Sequence, residues 1–206
     1  MNVKMKVKTM QKMLQIKMTS IFLIKSTILI NKEIFIIWFL LGIITDSENE
    51  QNIQELLKLN NQLKKVNVIF LNEKNIDNIK NVHLDTIIIN RTFNKMDKLI
   101  NVINNAKNIV INMDVQNDFQ NTSISAANLI TYGFNSKSSI TISSVTDDDV
   151  LICVQRNINN NFGVVEVQEI KIENNEKYSI YDLIIILIMF LINISTFSEI
   201  HIKSKK

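Results

Sequence analysis

Runs of isoleucine, leucine and valine alternate with polar stretches along this chain, and the lengths of the runs separate strands from helices. Ile34–Ile44 is an unbroken apolar run, long enough for a buried strand and closed by Thr45 and Asp46. Ser47 and Glu50 follow at capping-box spacing, so a helix is predicted there, with Ile53, Leu56, Leu57 and Leu63 on one face. Val66–Leu71 is the next strand, Asn72–Asn81 is polar and irregular or briefly helical, and Leu84–Asn90 is a third strand. Thr92 is placed to cap a second helix, in which Met96, Leu99, Ile100 and Ile103 recur at i, i+3, i+4 and i+7. Asn108–Met113 and Asn128–Tyr132 read as the fourth and fifth strands. Strands this uniformly apolar, separated by amphipathic helices, call for a parallel sheet covered on both faces.

The pattern changes after Gly133. Ser139–Val145, Val150–Arg156 and Val164–Ile172 read as three strands joined by the polar turns Asp147–Asp149 and Asn157–Gly163, an antiparallel addition. A phase slip at Gln168-Glu169 predicts a bulge in the third of them. Ser179 and Asp182 again have capping-box spacing, and Leu183–Ile192 is apolar all round. That run falls short of the roughly 20 residues a membrane span needs, so the helix is expected to be buried in the protein. No internal repeat is evident. The expected fold is α/β: a Rossmann-like, mostly parallel sheet with helices on both faces, a C-terminal antiparallel β extension and a buried C-terminal helix. The expected organisation is a single domain over residues 34–202, a basic and poorly ordered extension over 1–33, and a basic tail over 203–206.

Charge narrows the partner classes. Seven lysines and no acid precede Glu33, and the last four residues add three lysines. Residues 33–202 therefore carry 13 basic against 20 acidic side chains. A net charge of −7 repels a phosphate backbone, so nucleic-acid recognition by the domain is excluded. The N-terminal segment retains a non-specific attraction to anionic surfaces, and membrane contact through it is the less favoured reading. Lys25 and the Asn31-Lys32-Glu33 break interrupt the apolar stretches near the start, which argues against a signal or anchor and for a cytoplasmic protein, membrane association being the alternative. Cys153 is the one cysteine, so neither an intrachain disulfide nor a thiolate zinc site can form. With His83 and His201 the only histidines, no histidine-built metal site is expected.

The candidate chemistry is defined chiefly by what the glycines cannot do. Phosphate-binding turns need closely spaced glycines so that backbone N–H groups can wrap the anion. Gly42, Gly133 and Gly163 are far apart, and no Gly-Lys-Ser/Thr occurs. Neither a P-loop nor a dinucleotide turn can be built, and no cofactor is expected. The helix start near Gly42 is surrounded by Asp46, Glu48 and Glu50, which oppose an anion. Asp46, just beyond a strand end, is read as a capping residue rather than a ligand. Cys153, between Ile152 and Val154, is expected to be buried and structural. His83 is expected on the surface, and Asp147–Asp149 in a solvated turn.

Three segments carry a family resemblance. Asn128–Ser144, NLITYGFNSKSSITISS, resembles the stretch of Mur ligase central domains where a strand ends in T-Y-G or T-F-G and another strand follows. Ile109–Val115, IVINMDV, is similar to the family's V-I-N-A-D-D-P strand end, with Asn112 and Asp114 matching and Val115 replacing the second Asp. Lys177–Ile200 resembles the helix that follows G-R-H-N-V-Y-N in the family. The order and approximate spacing agree over residues 84–200. The resemblance implies a shared fold and ancestry. It also implies that Asn112, Asp114, Thr131, Tyr132 and Gly133 are family-matching positions, expected to be structural here, with a remnant ligand pocket at Tyr132 as the rival reading. The family's G-T-N-G-K-T is absent, its nucleotide-holding segment reads Tyr178-Ser179-Ile180-Tyr181-Asp182, and no counterpart of its C-terminal ligase domain is read. The expectation is a non-catalytic binding or scaffold module with no catalytic, cofactor or metal residue, whose partner is an unidentified protein or a second copy. The alternatives are a component of an ATP-dependent ligase that borrows its nucleotide site from a partner, and a small membrane-anchored protein.

Overall fold

β-branched side chains pack well on a pleated surface, and a strand buried on both faces has no polar alternate positions to orient it. Its apolar runs therefore favour parallel pairing inside the protein. In the computed structural model, which describes residues 39–115, 128–193 and 202, this produces one eight-stranded sheet. In chain order its strands are β1 (Phe39–Ile44), β2 (Val66–Phe70), β3 (Leu84–Ile89), β4 (Ala106–Asn112), β5 (Asn128–Gly133), β6 (Ile140–Val145), β7 (Asp149–Val154) and β10 (Gln168–Glu173). A two-stranded ribbon, β8 (Ile158–Asn159) with β9 (Val164–Val165), stands apart from it. The helices are α1 (Ser47–Leu59), α2 (Met96–Ile103) and α3 (Ile180–Asn193). The spatial order is β10-β7-β6-β5-β4-β3-β1-β2, parallel from β2 through β6 and antiparallel at β6–β7 and β7–β10. All described residues belong to one compact unit, Ile37–Lys206.

Strand alternation divides the core into two layers. Leu41, Ile43, Ile88, Val110, Ile130 and Tyr132 share one face with Ile53 and Leu56 of α1 and the apolar body of α3. Ile87, Ile89, Ile109 and Ile111 point the other way and are buried, as are Leu99, Val102 and Ile103 of α2, which packs on β4. The expected α/β fold, helix layers and buried C-terminal helix are all present. Every residue of α3 from Asp182 to Asn193 is buried. Each fully buried Leu, Ile, Met or Phe there contributes about 1.5–3 kcal/mol. Among the described residues no helix is long and apolar enough to cross a membrane.

Several expectations need correction. The strand after Gly133 is not antiparallel throughout, because β6 pairs in parallel with β5. A parallel connection normally needs a crossover of a dozen residues or more. Six suffice here, since only Tyr132↔Ile140 and Gly133↔Thr141 overlap and β6 starts where β5 ends. Val164–Ile172 is not one bulged strand. Val164–Val165 pairs with β8, and Gln168–Glu173 pairs with β7, so the phase slip marks a change of sheet. The bulge lies instead in β6, between Ile142 and Ser144. Asp46 holds the cap position of α1, as read, but makes no side-chain cap bond, and the Ser47–Glu50 capping box is not formed because Ser47 is already the first helical residue. Lys95, not Thr92, precedes α2. Residues 76–79 of the polar stretch form a short 3-10 turn that buries Ile76 and Ile79. Cys153 is half-buried, because its face of β7 lies outside the main core. His83 is exposed. The expected extension over residues 1–33, the start of the first strand at Ile34 and the tail over 203–206 lie outside the described residues.

The start of α3 carries both bonds of a capping box. Asp182 N donates to Ser179 Oγ at 3.1 Å, and Ser179 N donates to Asp182 Oδ2 at 3.1 Å. Asp182 is fully buried and also accepts from Asn49 Nδ2 at 2.8 Å and Asn52 Nδ2 at 3.1 Å. The capping residue thus ties α3 to α1, and this fixes where Tyr181 stands.

Candidate functional site

Ligands of open parallel sheets bind beyond the carboxyl ends of the strands, where ladder pairing runs out. At that edge this chain places polar side chains one after another: Thr45 after β1, Asn90 after β3, Asn112 closing β4, and Tyr132 next to the end of β5. The register sets Asn112 beside Tyr132. Asn90 Nδ2 donates to Thr45 Oγ1 at 3.1 Å. Its Oδ1 accepts from Tyr132 OH at 2.6 Å and from Asn112 Nδ2 at 3.0 Å. All four side chains are buried, and each finds its partner inside the group. Burial pushes the Tyr132 hydroxyl well above its ordinary pKa, so it is a permanent donor and not a base.

Asp114 lies just outside this network. Its backbone N donates to Asn112 Oδ1 at 3.0 Å. Its Oδ2 accepts from Phe134 N at 2.7 Å and from Tyr181 OH at 3.0 Å. Burial, and then the hydrogen bond to Asp114, push Tyr181 up to about 12, which keeps it a donor. The carboxylate lies over Gly133, whose φ is +141°. A Cβ there would come within 2.8 Å of Asp114 Cγ and 3.0 Å of Oδ1, so glycine is required by both space and backbone. Phe134 and Tyr181 meet edge to face at 6.1 Å, and Tyr181 meets Tyr132 at 6.4 Å. Phe134 and Met113 are about half exposed, at 54% and 45%.

On the β1–β2 side of the same edge, Arg91 reaches the Glu73 carboxylate with both Nη atoms, at 3.0 and 2.8 Å, and donates Nε to Thr45 O at 3.2 Å. Asp46 lies 3.9 Å from Arg91 Nε and is largely exposed. The paired guanidinium pulls Glu73 from 4.5 down to about 2. The β1–α1 connection is Thr45 and Asp46 alone. Two residues cannot wrap a phosphate, and Gly42 lies within β1, where a Cβ would meet Leu71 and Leu84 Cδ1 at 2.8 Å. That glycine serves the packing of β1.

Of the five positions that the resemblance singles out, Asn112, Asp114, Tyr132 and Gly133 converge on this edge. Thr131 does not: it bonds Ser139, which donates its N to Thr131 Oγ1 at 2.9 Å and braces the β5–β6 corner. Thr45, Asn90, Phe134 and Tyr181 were not singled out in the sequence. An Asn closing an apolar strand is a detectable signal for Asn90. Tyr181 has no local signal, since its role depends on where α1 holds α3. Among the described residues no group of three or more His, Cys, Asp or Glu is arranged to hold a metal ion. The arrangement offers a fixed carboxylate, fixed donors and exposed aromatic surface, and no nucleophile paired with a base. No protein-family model matches the chain, and no curated protein matches it.

Proposed function

We propose that this chain is a Mur-ligase-like binding or scaffold module of the cytoplasm that performs no ligation. The observation that carries the reading is the carboxyl edge of the sheet. There Thr45, Asn90, Asn112 and Tyr132 satisfy one another, and Arg91 is committed to Glu73. A two-residue loop and the acids Asp46, Glu48 and Glu50 stand where a phosphate would need glycines and N–H groups. The meeting of Asn112 and Asp114 with Tyr132 and Gly133 supports the family likeness. The single, half-buried Cys153 suits a reducing compartment. Calorimetric titration of the full chain with ATP and magnesium tests the reading. No heat of binding and no phosphate release are expected, and micromolar binding or turnover would overturn it.

A further inference from the structure

Asp114 is an exposed carboxylate in a fixed position. Phe134 N–H and Tyr181 OH both bind Oδ2, and the missing Cβ of Gly133 makes the space the group occupies. No described residue donates to Oδ1. Apolar surface is exposed at the same edge: Phe134, whose N–H bonds the carboxylate and whose ring meets Tyr181, and Met113, the chain neighbour of Asp114, are each about half exposed. Monomeric proteins scatter single exposed apolar residues, but two beside a rigid acceptor form a site with one polar and one apolar half. Asp46 follows β1, two strands along the same edge from β4, and is largely exposed. Residues 33–202 carry a net −7 within a chain of net +3, so the attraction for a cation comes from the domain itself.

We infer that the carboxyl edge beside Asp114 binds a primary ammonium carried on a small apolar body. The inference rests on the binding-module reading above and names the ligand class of that site. The ammonium N–H groups would bond Oδ1, and the apolar body would lie on Phe134 and Met113. A metal ion is the poorer fit, since among the described residues no group of three or more acids, histidines or cysteines is placed to hold one. An anion is opposed by Asp46 and Asp114 together.

The test is NMR titration of the 15N-labelled full chain, following the Phe134 amide, which already bonds Asp114. The probes are phenethylammonium chloride, its uncharged analogue 2-phenylethanol, and Nα-acetyl-lysine methylamide, which presents the same group from a peptide. Saturable shifts at Phe134 with either ammonium are expected, at least about tenfold tighter than with the alcohol, as a charge-assisted hydrogen bond requires. Tighter binding of the lysine derivative assigns a peptide source, and tighter binding of phenethylammonium a free amine. Asp114→Asn keeps the shape and both internal bonds, so it should abolish the preference for charge with little change in melting temperature. Equal binding of amine and alcohol, undiminished binding by Asp114→Asn, or no saturable shift would overturn the inference. ATP–magnesium is added to the same sample. Shifts at Thr45 and Ser47 would overturn the preceding reading, and they are separate from those at Phe134.

Discussion

Replacing Gly133 by alanine probes the carboxyl edge most directly, because one methyl group meets two constraints at once. At φ +141° an L-residue is strained, at a cost of about 1–3 kcal/mol. The same Cβ would come within 2.8 Å of Asp114 Cγ, so the carboxylate must leave its seat. It then gives up the bonds from Phe134 N and Tyr181 OH, each worth about 1 kcal/mol net. Gly133→Ala should therefore destabilise the protein by about 3–5 kcal/mol, measured by urea denaturation followed by circular dichroism. Asp114→Ala removes the same two bonds without the strain and should cost about 2 kcal/mol. In the double variant those bonds can be lost only once, so the combined effect should fall about 2 kcal/mol short of the sum. Additivity within about 0.5 kcal/mol would show that the carboxylate does not occupy the space above Gly133. A neutral Gly133→Ala would refute the backbone argument as well.

Tyr132→Phe should cost only about 1 kcal/mol by thermal melting, because Asn90 Oδ1 keeps its bond from Asn112 Nδ2; a loss several times larger would mean the network collapses as a unit. Ile186→Asp places an unpaired charge at a fully buried position of α3 and should leave no cooperative unfolding transition; a folded, soluble variant would contradict the burial of that helix. Glu73 sits at about 2 in the folded protein against 4.5 ordinarily, so its contribution is complete above pH 4.5 and is lost as pH falls from there toward about 2. Glu73→Gln should flatten stability over that window, and an acid-unfolding curve unchanged by the substitution would argue against the Arg91 pairing.

Periodicity alone established the strand–helix alternation and the α/β class, because an apolar run buried on both faces leaves few other ways to satisfy its backbone. Between Val66 and Val154 it located the strands within a residue or two, and it anticipated the Ser179–Asp182 cap, whose two partners are three residues apart in the chain. Local spacing was less reliable at the starts of α1 and α2. There Asp46 caps α1 without the Ser47–Glu50 box, and Lys95 holds the position read for Thr92, since the chain's exit from the preceding strand decides which residue turns first. The sheet to which a strand belongs was decided only in three dimensions. Ile140 pairs with Tyr132 in parallel because the short β5–β6 corner offsets the strands, and Val164 and Gln168 separate because their partners lie in different sheets. The carboxyl-edge site was visible in the sequence only as single residues, Asn112, Asp114, Tyr132 and Gly133. The contact that completes it, Tyr181 on Asp114, spans 67 residues and exists because Asp182 anchors α3 to Asn49 and Asn52 of α1. Hydrophobic pattern specifies which faces are buried, whereas the juxtaposition of polar side chains is set by how the buried faces dock.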